Sequence, residues 1–280
     1  MKTRIISSIV ATAILLPFLF YSHTYAFACL MAFGACLGVY EMLKCLGEKN
    51  LFILIPSCLI GAAMPILAKW YPDEATFFNF AHKVFVVYVF YLAVIAVFSK
   101  GKKDVSAMAL VYVTVCFIVN GFSSITILRD YQYGEYIYLL VFLCPWMTDI
   151  FAYFTGYFFG KHKLIPEVSP KKTIEGAIGG VVFCTLSLVL YGFLVSCFAD
   201  GIKANYLAFV LVGVVLSVVS QCGDLIFSLI KRKFGIKDYG NIMPGHGGIL
   251  DRCDSVIAAA PFVLWMFDLS KIFRLFYEVV

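Results

Sequence analysis

Nine stretches of this chain run for most of a bilayer's thickness with little or no charge, approximately residues 5–22, 24–43, 51–68, 77–99, 105–128, 136–160, 175–198, 204–230 and 254–270. A helix needs about 20 apolar residues to cross the hydrocarbon core. In lipid, every backbone amide and carbonyl must find its partner within the protein, so runs of this kind fold as helices. The expected fold class is an all-α polytopic membrane protein with about nine transmembrane helices. Only 14% of the residues are charged and 62% are hydrophobic, whereas a soluble domain carries about 25% charged residues. So few charges could not cover a water-facing surface.

The distribution of positive charge sets the orientation. With the N-terminus in the cytoplasm and the spans alternating, sixteen of the 22 lysines and arginines fall on the cytoplasmic side, five fall on the outer side, and Lys83 lies within a span. Such a bias is the positive-inside pattern. The first 26 residues share features with a cleavable signal: Lys2, Arg4, an apolar run and Thr24-Tyr25-Ala26. The run 5–22 is 18 residues long, longer than the ~7–15 of a signal core, and is read as the first membrane helix. The ten cysteines contain no C-x-x-C pair and lie mostly in apolar runs, where they act as small buried hydrophobes. The net charge of +5, with no basic aromatic sheet, makes no case for nucleic acid as a partner.

The chain divides into residues 1–135, holding about five N-terminal helices, and residues 136–280, a C-terminal region. Two long cytoplasmic loops of that second region, 161–175 and 231–254, are basic and rich in Gly, Pro and Ser.

The chemistry concentrates around those loops. Asp224, Ser228 and Lys231 stand at i, i+4 and i+7, on one helix face. A carboxylate inside an apolar span requires a partner or a cation; a structural ion pair with Lys231 or Arg252 explains it equally well. In the following loop, Gly245, Gly247 and Gly248 allow a sharp turn whose amides form an anion-binding nest, with His246 as a further donor. Asp251, Asp254 and Ser255 share a face at the head of the next helix. Carboxylates beside a phosphate nest suit a hard cation such as magnesium, which prefers oxygen ligands. Helix capping would account for one aspartate, but not for two on one face, a third on the preceding helix, and Lys231, Arg232, Lys237 and Arg252 around them. In the other loop, Ser169, Lys171, Lys172 and Thr173 offer hydroxyl and ammonium donors just before a helix N-terminus. Gly156 with Gly160, and Gly176 with Gly180, fit close helix packing. Asp149, with Tyr153 one turn on, is an accessory candidate: it could tune the site, bind a cation or pair with Lys83.

These residues match a family signature. Ser228, Lys231-Arg232, Lys237-Asp238, Gly240, Pro244, His246-Gly247-Gly248, Asp251-Arg252 and Asp254 resemble the signature of the phosphatidate cytidylyltransferases, also called CDP-diacylglycerol synthases, with Met243 where Leu, Ile or Phe is usual. Asp149, Ala152-Tyr153, Gly160-Lys161, Ser169–Thr173, Glu175-Gly176, Gln221, Gly223 and Asp224 are similar as well. The resemblance implies that CTP and phosphatidate react to give CDP-diacylglycerol and pyrophosphate. It implies magnesium, a monovalent cation such as potassium, a homodimer, and a multi-pass location in a bacterial inner membrane. The expected catalytic residues are Asp224, Lys231, Asp251, Arg252 and Asp254, at the cytoplasmic ends of the C-terminal helices. Asp224, Asp251 and Asp254 would ligate metal. Ser169, Lys171, Lys172, Thr173, Ser228, Arg232, Lys237, His246, Gly247 and Gly248 would hold phosphates. A CTP-using lipid kinase is the nearest rival. A transporter, which predicts inverted repeats, is the more distant one, and motifs appear only in the second half.

Overall fold

A computed structural model of the chain describes residue 13 and residues 15–71, 73–99, 104–242, 245, 247–268 and 274–278. Among these, seven helices are long and apolar enough to cross a membrane: α1 (Tyr25–Cys45), α2 (Leu51–Trp70), α3 (Glu74–Phe98), α4 (Val105–Asp130), α5 (Gly134–Phe159), α6 (Ile174–Phe198) and α7 (Tyr206–Lys233). An eighth, α8 (Leu250–Asp268), has 19 residues; Asp251, Arg252 and Asp254 in its first turns set it apart from the seven. Residues 13 and 15–20 are helical too, residues 21 and 22 lie in a turn, and residues 5–12 and 14 of the first expected span lie outside the described residues. The helix ends stay within three or four residues of the charge-free runs, because lipid forces charge and helix termini to the same depth. Large apolar side chains such as Phe90, Phe98, Phe154 and Leu186 point outward from these helices, as they must when the solvent is hydrocarbon.

Helices α2, α3 and α6 begin on side-chain caps. Asn50 Oδ1 accepts from Phe52 N at the start of α2, and Asp73 Oδ1 accepts from Thr76 N at the start of α3. The Thr76 hydroxyl and amide hold the exposed Asp73 carboxyl below its ordinary range. Pro56 and Pro65 lie inside α2, Pro145 inside α5 and Pro261 inside α8, a pattern tolerated in membrane bundles, where neighbours satisfy the freed carbonyls.

The chain forms two compact units, Met1–Asp130 with Phe234–Cys253, and Tyr131–Lys233 with Asp254–Val280. The first holds α1–α4. Its helices approach closely at small residues: a Cβ on Gly61 of α2 would stand 3.2 Å from the Ala35 carbonyl of α1. Ser57 Oγ and Tyr88 OH share a 2.7 Å hydrogen bond between α2 and α3. Lys69 Nζ reaches Asp130 Oδ1 at 2.5 Å. The segment Phe234–Cys253 belongs to the same unit.

The second unit holds α5–α7, most of α8 and two short β-pairs. A Cβ on Gly176 would stand 2.7 Å from the Ala152 carbonyl, and one on Gly180 would stand 3.0 Å from that of Thr148. The glycines therefore bring α5 and α6 to backbone contact, as small-residue spacing anticipates. Thr148 Oγ1 donates to Ser217 Oγ at 2.9 Å, joining α5 to α7. The segment expected as an irregular loop at 161–175 is a β-hairpin: β1 (Lys163–Ile165) pairs antiparallel with β2 (Ser169–Thr173), Lys163 opposite Thr173 and Ile165 opposite Ser169, with a register shift between the two. Val168 N closes the turn onto Ile165 O at 3.2 Å. In the second pair, β3 (Ile202–Ala204) lies antiparallel to β4 (Phe276–Glu278). This returns the chain beyond α8 to the connection between α6 and α7. All ten cysteines are free.

Candidate functional site

The C-terminal unit gathers charge from four elements. Lys172 projects from β2, and its Nζ lies 2.5 Å from Asp224 Oδ2 of α7. Both side chains are about three-quarters buried. Ser228, one turn on, donates Oγ to Asp224 Oδ1 at 3.5 Å. Asp149, midway along α5, lies within electrostatic reach of Lys172 and Asp224. Asp254 of α8 is buried and interacts with Asp224, Lys231 and Asp149. Lys231, near the end of α7, is 9% exposed. Three carboxylates and two lysines therefore lie in one cluster, drawn from α5, β2, α7 and α8.

The backbone makes this closeness possible. A Cβ on Gly223 would overlap the Ala258 methyl, and the Asp254 carbonyl lies 3.3 Å from where it would sit. With glycine at 223, α7 and α8 touch just where Asp224 and Asp254 project. The ion-pair partner of Asp224 is Lys172; local spacing had suggested Lys231 or Arg252. Lys172 is half-buried against α7, while Lys171 beside it is exposed.

The hairpin is tied down at three places. At its base, His162 Nδ1 and Glu175 Oε1 are 2.6 Å apart, and the Glu175 carboxylate also accepts from His162 N. In its middle stands the Lys172–Asp224 pair. Near its tip, Arg232 Nε donates to Val168 O at 3.4 Å. Thr173 ends the hairpin and caps α6, its Oγ1 accepting from Gly176 N at 3.1 Å. Ser169 faces Ile165 across the pair. Tyr153 is 67% exposed and stacks on Tyr157 at 6.4 Å, outside the charged cluster.

The N-terminal unit holds the glycine-rich segment. Gly245 and Gly247 have φ of 78° and 87°, left-handed values that glycine alone adopts at no steric cost. Asp251 Oδ2 accepts from Tyr239 N at 2.7 Å and from Gly248 N at 2.9 Å. Its carboxylate thus braces the turn. Lys237 and Arg252 are exposed. His246, with Met243 and Pro244, lies outside the described residues.

Sequence reasoning missed Glu41. This carboxylate of α1 is 2% exposed. It accepts from Ile249 N at 3.1 Å and Leu250 N at 2.9 Å. The signal was present: Glu41 sits inside the second charge-poor run, where an ionisable residue marks a functional position by default.

The donors in the cluster are all carboxylate oxygens, the type that a hard divalent cation takes. Among the described residues no three His, Cys, Asp or Glu side chains form a ready-made cage, and the Lys172 ammonium stands against Asp224 where a cation would bind. The donor chemistry fits magnesium, with Lys172 as the competing charge.

The chain matches the family model described as the cytidylyltransferase family over residues 2–270. The phosphatidate cytidylyltransferase of Staphylococcus haemolyticus (strain JCSC1435) is 36% identical over 263 residues, 93% of this chain and 96% of that protein. The protein of the same name from Staphylococcus aureus (strain COL) is 34% identical over 264 residues, again 93% and 96%. That of Bacillus subtilis (strain 168) is 32% identical over 283 residues, 96% of this chain and 98% of that protein. Similarity of this extent, together with the charged cluster, makes this chain a member of the cytidylyltransferase family.

Proposed function

We propose that this multi-pass membrane protein transfers the cytidylyl group of CTP to phosphatidate, giving CDP-diacylglycerol and pyrophosphate for phospholipid synthesis. The observation that carries the proposal is the cluster of Asp149, Lys172, Asp224, Lys231 and Asp254, in a chain whose relatives of the same length share that activity in their names.

The chemistry suits such a site. A phosphate oxygen of phosphatidate attacks the α-phosphorus of CTP, and pyrophosphate leaves. No covalent intermediate on the protein is required, so positioning and charge neutralisation can do most of the catalysis. Lys172 and Lys231 place two ammonium groups among the carboxylates, and Arg232, Arg252, Lys171 and Lys237 add positive charge for the phosphates. Ser169, Thr173, Ser228, Gly247, Gly248 and His246 are the proposed polar contacts. Asp224 and Asp254 would hold magnesium, with Asp251, three residues earlier on the same helix, as the third acidic residue. Bound magnesium supplies neutralisation of phosphate charge during the transfer. The Lys172 ammonium, held at Asp224, would be placed to meet an anionic substrate. A monovalent cation such as potassium and a homodimer are proposed on the resemblance.

We place the N-terminus in the cytoplasm, with nine spans in a bacterial inner membrane. The charge bias supports this topology. The pairing of β4 with β3, at the end of α6 away from the hairpin, supports reading α8 as a crossing. The site then opens at the cytoplasmic surface, where a leaflet lipid can meet soluble CTP.

The test is a pair of labels. Incubating membranes with phosphatidate and CTP labelled at the α-phosphate should put label in a chloroform-soluble product, and γ-labelled CTP should not. Lipid label from the γ-position alone would instead identify a kinase.

A further inference from the structure

We propose that Glu41 is the positioning residue that sets the glycine-rich turn and the first turn of α8 for the reaction. The proposal rests on the function proposed above, and it concerns a residue outside the charged cluster.

The first amides of a helix have no partner within it. A cap normally comes from the residue just before the helix. For α8 it comes from another helix: the Glu41 carboxylate receives Ile249 N and Leu250 N, one on each oxygen. Negative charge there also complements the helix dipole. The fit is close on two further sides. A Cβ on Gly240 or on Gly248 would overlap the Glu41 carboxylate. One turn earlier on α1, a Cβ on Gly38 would come within 3.1 Å of Leu250 Cδ2, and Leu250 is fully buried. Helix α1 thus presents a notch at Gly38 and a carboxylate at Glu41, and the turn closes onto both.

Asp251 completes the arrangement by accepting from Tyr239 N and Gly248 N. Two carboxylates hold four amides, those of Tyr239, Gly248, Ile249 and Leu250. Lys44 and Asp251 are the charged groups that Glu41 faces. A buried carboxylate carries a large desolvation cost, and a neutral Ser or Asn would cap the helix at less cost. What the carboxylate adds is two simultaneous acceptors between two glycine backbones. That fixes the direction of the helix bearing Asp251, Arg252 and Asp254.

The experiment uses the full chain in lipid nanodiscs, as wild type, Glu41→Gln, Glu41→Asp, Gly248→Ala and the double variant Glu41→Asp with Gly248→Ala. Hydrogen exchange is read on the peptide covering 247–252, and kinetics are read with α-labelled CTP and phosphatidate. Glu41→Gln keeps the volume and loses one acceptor. We expect about tenfold faster exchange and a kcat lower by about tenfold, the worth of one charge-assisted hydrogen bond. KM for CTP should rise while KM for phosphatidate stays within about twofold, a split that general unfolding would not produce. Glu41→Asp withdraws the carboxylate by one methylene, so the double variant should be more active than Gly248→Ala alone, a non-additive coupling. Wild-type exchange and kinetics in Glu41→Gln would overturn the proposal, as would strictly multiplicative effects in the double variant. A wild-type chain that leaves lipid unlabelled would instead overturn the reaction, with the exchange measurement still deciding the anchor.

Discussion

Lys172 Nζ of the β-hairpin lies 2.5 Å from Asp224 Oδ2 of α7. This contact ties the hairpin to the acid inside α7, and it puts an ammonium where a divalent cation would compete for the same carboxylate. Adjacent lysines on β2 should therefore behave differently. Lys172→Ala should lower kcat/KM by at least about tenfold, because it removes a charge-assisted contact worth about 1.5–3 kcal/mol. Lys171→Ala, at an exposed position, should change it by less than about threefold. Equal losses in a steady-state assay would show that the pairing geometry does not matter.

Magnesium dependence should move with the carboxylates. Asp224→Asn removes a charge from the proposed metal site and should cut activity by about 100-fold or more, while raising the magnesium needed for half-maximal rate. Lys172→Ala should shift that requirement in the opposite direction, since the competing ammonium is gone. A magnesium titration of the two variants reads both shifts.

The α7–α8 contact should be intolerant of volume. A side chain at Gly223 would overlap the Ala258 methyl, so Gly223→Val should lower stability by about 1–3 kcal/mol, the usual cost of overpacking. Leu190→Ala, on the exposed surface of α6, should be close to neutral. Thermal unfolding in detergent would separate the two.

The Thr173 hydroxyl caps α6 through Gly176 N. Thr173→Val should cost about 1 kcal/mol, and Thr173→Ser should keep the cap. If Thr173→Ser is as stable as wild type and loses activity, the methyl group matters to the site as well.

The spans were legible because lipid forbids both charge and unpaired backbone within its core. The run 105–128 became α4 at Val105–Asp130, and 175–198 became α6 at Ile174–Phe198. Asp224 and Asp254 were legible as ionisable residues in or beside those runs. The partner of Asp224 was not, because Lys172 approaches from a hairpin about fifty residues away in sequence, and local spacing pointed to Lys231. The hairpin itself gave little signal: β1 has three residues, and β2 contains Pro170 and two lysines with no alternation of apolar and polar residues. The role of Glu41 was not legible because the amides it holds, those of Ile249 and Leu250, lie 208 and 209 residues away in sequence.

The central claim is that the Lys172–Asp224 cluster carries out cytidylyl transfer. Its most direct test is incorporation of label from α-labelled CTP into lipid by the purified chain with phosphatidate, beside Asp224→Asn at equal abundance and equal thermal stability. The account predicts labelled CDP-diacylglycerol from wild type and about 100-fold less from the variant. Equal labelling by the two proteins would contradict it.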